Sequence, residues 1–189
     1  YTYNADGVIV KTTDGGDTWT QILPASGTID GLQGIWFIDE NTGYAGGWNN
    51  YFIKTTDGGT TWTPATCASD VWYYTDIEFW DSNNGVASAY MNNSNDACIF
   101  VTDDGGASWT PASSGVTGAM MCVTYADANT LYAVHTDANV YKSTDGGHNW
   151  TAVNNLGALL FGCDFADANF GVVGGEEKIF ATTDGGSTW

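Results

Sequence analysis

The chain has 189 residues, with 22 Asp and Glu set against four Lys and no Arg, for a formal net charge of -18. So few cations exclude a nucleic-acid partner, which needs clustered Lys or Arg, and exclude electrostatic attachment to anionic lipid. No apolar run approaches the ~20 residues that span a bilayer, so membrane insertion is not expected.

A hydrophobic content of 43% suffices for a core, and 25 Gly with 14% aromatic residues favours an all-β chain rich in tight turns. The chain opens on Tyr1-Thr2-Tyr3 and stops at Trp189 inside a repeated motif, which reads as a mature or excised segment.

That motif first appears as Lys11-Thr12-Thr13-Asp14-Gly15-Gly16-Asp17-Thr18-Trp19. It returns at 55–62, 102–109, 143–150 and 182–189, each copy carrying Thr or Ser, then Asp, Gly and Trp at fixed offsets. The copies are Thr12, Asp14, Gly16 and Trp19; Thr55, Asp57, Gly59 and Trp62; Thr102, Asp104, Gly106 and Trp109; Ser143, Asp145, Gly147 and Trp150; and Thr182, Asp184, Gly186 and Trp189. Successive aspartates lie 43, 47, 41 and 39 residues apart.

The segments between the boxes repeat as well. An apolar stretch ending in an acidic turn precedes each later box: Ile35 to Asn41, Ile77 to Asn83, Val123 to Asn129 and Cys163 to Asn169. A second apolar segment follows (Gly43 to Gly47, Thr130 to Val134), a third runs into the box (Tyr51 to Lys54, Cys98 to Val101), and a fourth starts at the Trp. Each unit of about 40 residues thus predicts four short antiparallel strands, the blade of a β-propeller. The whole chain, 1–189, reads as one such segment of about 4.4 units, with the first unit lacking its first strand and the last ending as its fourth begins. Open ends of this kind predict coverage by further blades or by identical subunits joined head to tail.

Within a box the Asp carboxylate is expected to be buried in the turn and to accept backbone N–H bonds, Gly to supply positive φ, and Trp to cover the turn. These roles are structural, because a turn is needed in every blade and a catalyst only once.

The pattern resembles the Asp-box, or bacterial neuraminidase repeat, found in sialidases, sortilin-type domains, xyloglucanases and the photosystem II assembly factor. The form Lys-Thr-Thr-Asp-Gly-Gly-x-Thr-Trp is most similar to that assembly factor and to secreted bacterial repeat proteins. The resemblance implies rings of six or more blades and, for the assembly factor, a basic patch that this chain lacks. Fold follows from it; function does not.

Sialidase chemistry is excluded, because a sialic acid carboxylate needs guanidinium donors and there is no Arg. A xyloglucanase-like glycosidase needs two carboxylates at suitable separation, with candidates Asp30, Asp76, Glu78, Asp96, Asp164, Glu176 and Glu177 outside the boxes. Most of these acids read as solvated surface. Aromatic side chains outside the boxes offer a binding surface, with Trp48, Trp72 and Tyr73 in polar or turn-like neighbourhoods the candidates for ligand contact.

No cofactor or metal is expected. The oxygens of Asn92 to Asp96 and of Asp103-Asp104 suit Ca2+ in kind but not in loop spacing, and His135 and His148 form no zinc motif. Of the four cysteines, Cys67 and Cys98 flank the longest spacing and are the favoured disulfide, while Cys122 and Cys163 either pair across neighbouring units or stay free. Asn92 and Asn149 begin sequons, Asn149 beside a packing Trp and so the weaker glycosylation site.

The leading reading is a non-catalytic extracellular or cell-surface propeller segment that binds protein or glycan, or serves a structural or adhesive role. A carbohydrate-active enzyme fragment is the first alternative, and an assembly chaperone like the photosystem II factor the second.

Overall fold

The computed structural model describes residues 7–23, 31–113 and 116–189, and every regular element among them is a β-strand. The strands fall into blades in chain order. The first blade contributes β1 (Ile9–Lys11) and β2 (Thr20–Leu23). The second is β3 (Leu32–Phe37), β4 (Gly43–Gly47), β5 (Phe52–Thr55) and β6 (Thr63–Pro64). The third is β7 (Val71–Phe79), β8 (Gly85–Met91), β9 (Ile99–Thr102) and β10 (Thr110–Pro111). The fourth is β11 (Met120–Tyr125), β12 (Leu131–His135), β13 (Asn139–Ser143) and β14 (Thr151–Asn155). The fifth is β15 (Leu160–Phe165), β16 (Gly171–Gly175) and β17 (Lys178–Thr182). Every pairing is antiparallel between consecutive strands, so each blade is a meander.

First strands of neighbouring blades approach one another, β3 with β7, β7 with β11 and β11 with β15, and form the inner rim. Second strands lie between two blades and are covered on both faces. That is why all five residues of β4 (Gly-Tyr-Ala-Gly-Gly) and of β12 (Leu-Tyr-Ala-Val-His) are buried, rather than every other one. Small residues at β4 let the neighbouring blade approach: a Cβ on Gly46 would lie 2.8 Å from the Tyr74 Cβ.

The core is continuous across the second, third and fourth blades, with a second cluster between the fourth and fifth. Its largest fully buried side chains are Tyr44, Tyr74 and Tyr132. Each of these phenols has a partner, as a buried hydroxyl requires. Tyr44 Oη donates to Gly105 O at 2.8 Å and Tyr132 Oη to Gly185 O at 2.8 Å, tying one blade to the box of the next. Lysines reinforce the same joint: Lys11 Nζ reaches Gly58 O at 2.8 Å and Lys142 Nζ reaches Gly185 O at 3.2 Å. Lys54 and Lys142 also lie over the Tyr44 and Tyr132 rings at 5.0 Å. Three of the four lysines are therefore spent inside the fold.

The expected Cys67–Cys98 disulfide is not formed. All four cysteines are free thiols, and the Cys98 Sγ points at Val116 O, 3.5 Å away, while Cys67 is buried separately. Flanking a long insertion in sequence does not aim two Cβ atoms at each other. Cys122 and Cys163 are also free, with the Cys163 N–H donating to Cys122 Sγ at 3.2 Å.

Candidate functional site

Antiparallel meandering puts the first-to-second and third-to-fourth turns at one end of each blade. The second-to-third turns and the blade-to-blade crossings lie at the other. The five boxes occupy the first end.

Each box is a closed hydrogen-bond ring. In the second blade Thr55 Oγ1 donates to Asp57 Oδ1 at 2.9 Å and accepts the Gly59 N–H at 2.9 Å. Asp57 Oδ1 also accepts the Thr61 N–H at 2.8 Å, and Oδ2 accepts the Thr61 hydroxyl at 2.6 Å. The ring recurs around Asp14, Asp104, Asp145 and Asp184, with Ser143 and Asn149 filling the hydroxyl and donor positions in the fourth blade. These bonds hold the Asp14, Asp104 and Asp184 carboxyls down to about 2, and those of Asp57 and Asp145 also below their ordinary value.

The expectation that these aspartates are buried is corrected: all five are exposed. The buried member is the Thr or Ser, at 1% exposure for Thr55, Thr102 and Ser143 and 2% for Thr182. Its hydroxyl sits at the end of the third strand under the turn, and the carboxylate closes the ring from the solvent side.

The box Trp packs at the joint between blades: Trp109 meets Tyr44 and Phe52 of the preceding blade and Phe79 of its own edge-on, and Trp62 meets Phe37 of its own blade in the same way. Trp19, which has no preceding blade beside it among the described residues, is 60% exposed. The Asn149 amide donates to Asp145 Oδ2 at 2.7 Å, so its side chain takes part in the box ring.

On the inner rim, carboxylates seal the edge of the next blade. Asp76 Oδ2 accepts the Val123 N–H and the Cys122 thiol, both at 3.3 Å, and Glu78 Oε2 accepts the Tyr125 N–H at 3.2 Å. Burial, then the neighbouring Asp76 and Asp164 charges against the bonds that favour ionisation, push the Glu78 carboxyl up to about 7. Burial also raises Asp76. Two of the glycosidase candidates thus lie together, but their oxygens serve backbone N–H groups.

Asp164 sits exposed on β15; Glu176 and Glu177 form the exposed turn between β16 and β17, and Asp96 lies in the turn after Asn92, which is exposed. Asp30 lies outside the described residues. Among the described residues no group of acidic, His or Cys side chains forms a metal site.

At the end opposite the boxes the structure brings Trp48, Trp72 and Tyr73 together and adds Tyr90. Trp48 lies in a turn whose Asn49 and Asn50 both have positive φ, a conformation Asn tolerates. Trp48 stacks on Tyr73 at 4.5 Å, and Tyr73 on Tyr90 at 5.3 Å. Trp72 stands edge-on to Trp48 and Tyr90, at 5.5 and 5.1 Å, and is 43% exposed.

A register shift between Val71 and Tyr73 leaves Trp72 as the extra residue of a β-bulge, and bulges re-aim side chains. The Asn49 N–H donates to Trp72 O at 2.7 Å and fixes the bulge against the neighbouring turn. Tyr90 belongs to the aromatic residues outside the boxes, but the sequence does not single it out for ligand contact, because its position is set by strand pairing across the blade, not by its local neighbours.

The fold and this repeated ring define an Asp-box β-propeller. The family described as photosystem II assembly factor YCF48 matches residues 25–159, more than half the chain, and the chain belongs to that family.

Among solved structures, YCF48 from Cyanidioschyzon merolae is 18% identical with a TM-score of 0.69, over 95% of this chain and 64% of that one. A YCF48 bound to D1 peptide is 21% identical with a TM-score of 0.56, over 78% of this chain and 52% of that one. An ancestral GH74 enzyme is 17% identical with a TM-score of 0.65, over 84% of this chain and 23% of that one. At these identities the likeness shows the fold alone, and the chain spans 64% or less of each of these proteins. A search of curated proteins gives no match.

The family overturns the expected extracellular or cell-surface location, since a factor that assembles photosystem II acts where that photosystem is built. It favours the assembly-chaperone alternative over the surface-structural reading, and lends nothing to adhesion, a filament or a glycoprotein.

Proposed function

We propose that this chain is a non-catalytic protein-binding propeller segment of the assembly-factor class, and that it holds an extended segment of a client protein on the aromatic surface around Trp72. The observation that carries this is the bulge: it turns a large indole out to solvent, braced by three further rings, at the end of the propeller that the boxes leave free. Exposed aromatic groups of this kind anchor protein partners. The family's assembly role and the D1 peptide held by a relative support a protein client. The inner-rim carboxylates, taken up by backbone N–H groups, supply no free acid and base pair for glycoside hydrolysis.

The test is calorimetric titration of the chain with a D1 peptide. Binding is expected, with a loss of at least about tenfold for Trp72→Ala. Trp80→Ala is the control, since Trp80 is 47% exposed but follows β7 at the box end. Equal losses for the two variants, or no binding by the unaltered chain, overturn the reading.

A further inference from the structure

A cavity of about 390 Å3 is lined by Asp70 and Asp96 together with the apolar Met91, Phe100 and Pro111. Apolar walls with two acids match a side chain that has an aliphatic stem and a cationic head. Among the described residues the close contacts between basic and acidic side chains are His135 with Asp137 and His148 with Asp103, and neither Asp70 nor Asp96 has a basic partner.

Both acids are held by their backbones. Asp70 adopts φ 64, and its carbonyl accepts the Asn92 N–H at 3.1 Å. The Asp96 N–H donates to Asn93 O at 3.0 Å, and Asp96 O accepts the Gly118 N–H at 3.1 Å. Asp70 stands two residues before Trp72, so the acid and the exposed indole share one short stretch of chain.

The surrounding charge has the same sign. The turns at this end carry Asp137, Glu176 and Glu177, with Lys178 the one lysine beside them, and the chain's net charge is -18. An anionic segment would be repelled here and a cationic one attracted. The stacked rings of Trp48, Tyr73 and Tyr90, at 4.5 and 5.3 Å centroid spacing, make a row about as long as three residues of extended chain.

We propose, resting on the protein-binding reading above, that this end of the propeller selects basic client segments: an extended backbone lies along the aromatic row, and a Lys or Arg side chain enters the cavity to meet Asp70 and Asp96. A neighbouring cation can then stack on Trp72. Asp96 Oδ1 already accepts a long bond from the Asn93 amide at 3.5 Å, but neither acid meets a cation of this chain among the described residues, and a charge-assisted donor is what a neutral side chain cannot replace.

Short synthetic peptides carrying alternate Arg, and their Gln and Glu counterparts, test this by calorimetry at low and high salt. The Arg peptide is expected to bind at least about tenfold tighter than the Gln peptide and to weaken with salt. The Asp70→Asn/Asp96→Asn double variant keeps shape and a residue tolerant of positive φ; it should lose that advantage while binding the Gln peptide unchanged. Equal binding of the Gln or Glu peptide, or full Arg-peptide affinity in the double variant, overturns the basic preference and leaves a protein-binding surface standing. Failure of all three peptides while a D1 peptide binds overturns the preference alone; failure of every peptide overturns both.

Discussion

Glu78 Oε2 accepts the Tyr125 N–H at 3.2 Å, a bond from the inner strand of one blade to the inner strand of the next. No sheet hydrogen bond can form there, because the two strands belong to different sheets. The carboxylate therefore does for the exposed edge what a partner strand would do.

Its burial has a pH consequence. The Glu78 carboxyl is raised from 4.5 to about 7, so the folded chain holds its proton more tightly than the unfolded chain. Stability from this group is complete below about pH 4.5 and is lost as pH rises through 7. Urea unfolding between pH 4.5 and 8 should show a decline on the order of 1–3 kcal/mol. Glu78→Gln, which keeps an acceptor for Tyr125, should flatten it; an unchanged slope in that variant would remove Glu78 as the cause.

In the boxes the load falls on the hydroxyl. Thr55 is 1% exposed and its oxygen accepts the buried Gly59 N–H, so Thr55→Val strands that donor and should cost about 1–3 kcal/mol. Asp57→Asn acts at the exposed side of the ring and should cost less. The lowered box carboxyls contribute stability that is present above about pH 4 and lost toward pH 2, opposite in sign to Glu78. Denaturant melts of the two variants at neutral pH decide the order, and a larger loss for Asp57→Asn would reverse it.

The thiols give a third expectation. Burial pushes the Cys98 thiol up to about 12 and that of Cys67 higher still. Neither should react with a thiol reagent at neutral pH on the time scale of exposed thiols. Full reaction of all four should appear only in denaturant, with no mass change on reduction. A gain in mass on reduction would restore the disulfide.

The repeat was legible because each blade must build the same turn, so Thr, Asp, Gly and Trp recur at fixed offsets whatever lies between. The strands were legible from the apolar runs that precede each box. The Asp76 and Glu78 contacts were not: their partners Val123 and Tyr125 are 47 residues away. The aromatic surface was half legible. Trp48, Trp72 and Tyr73 stand out beside polar turn residues, but the bulge that turns Trp72 outward depends on pairing with β8. The exposure of the box aspartates is not legible in the sequence, because a carboxylate can accept backbone N–H bonds from the solvent side of a turn as well as from within it.

Gly106 tests the joint between blades. Its φ is +78, and a Cβ there would overlap Tyr44 Oη and come within 2.5 Å of its Cζ. Tyr44 cannot yield, since it is fully buried, stacks on Phe52 and Phe79 at 5.7 and 5.5 Å, and donates to Gly105 O. Gly146, in the next box, has φ +73 but open space around its Cβ position. Both substitutions to Ala pay for left-handed backbone, about 1–2 kcal/mol. Gly106→Ala adds overpacking of about 1–3 kcal/mol. Chemical denaturation of the pair should therefore show Gly106→Ala as the more damaging change. Equal losses would mean that the Tyr44 hydroxyl and the adjoining box are free to move apart, and that blade packing does not depend on this contact.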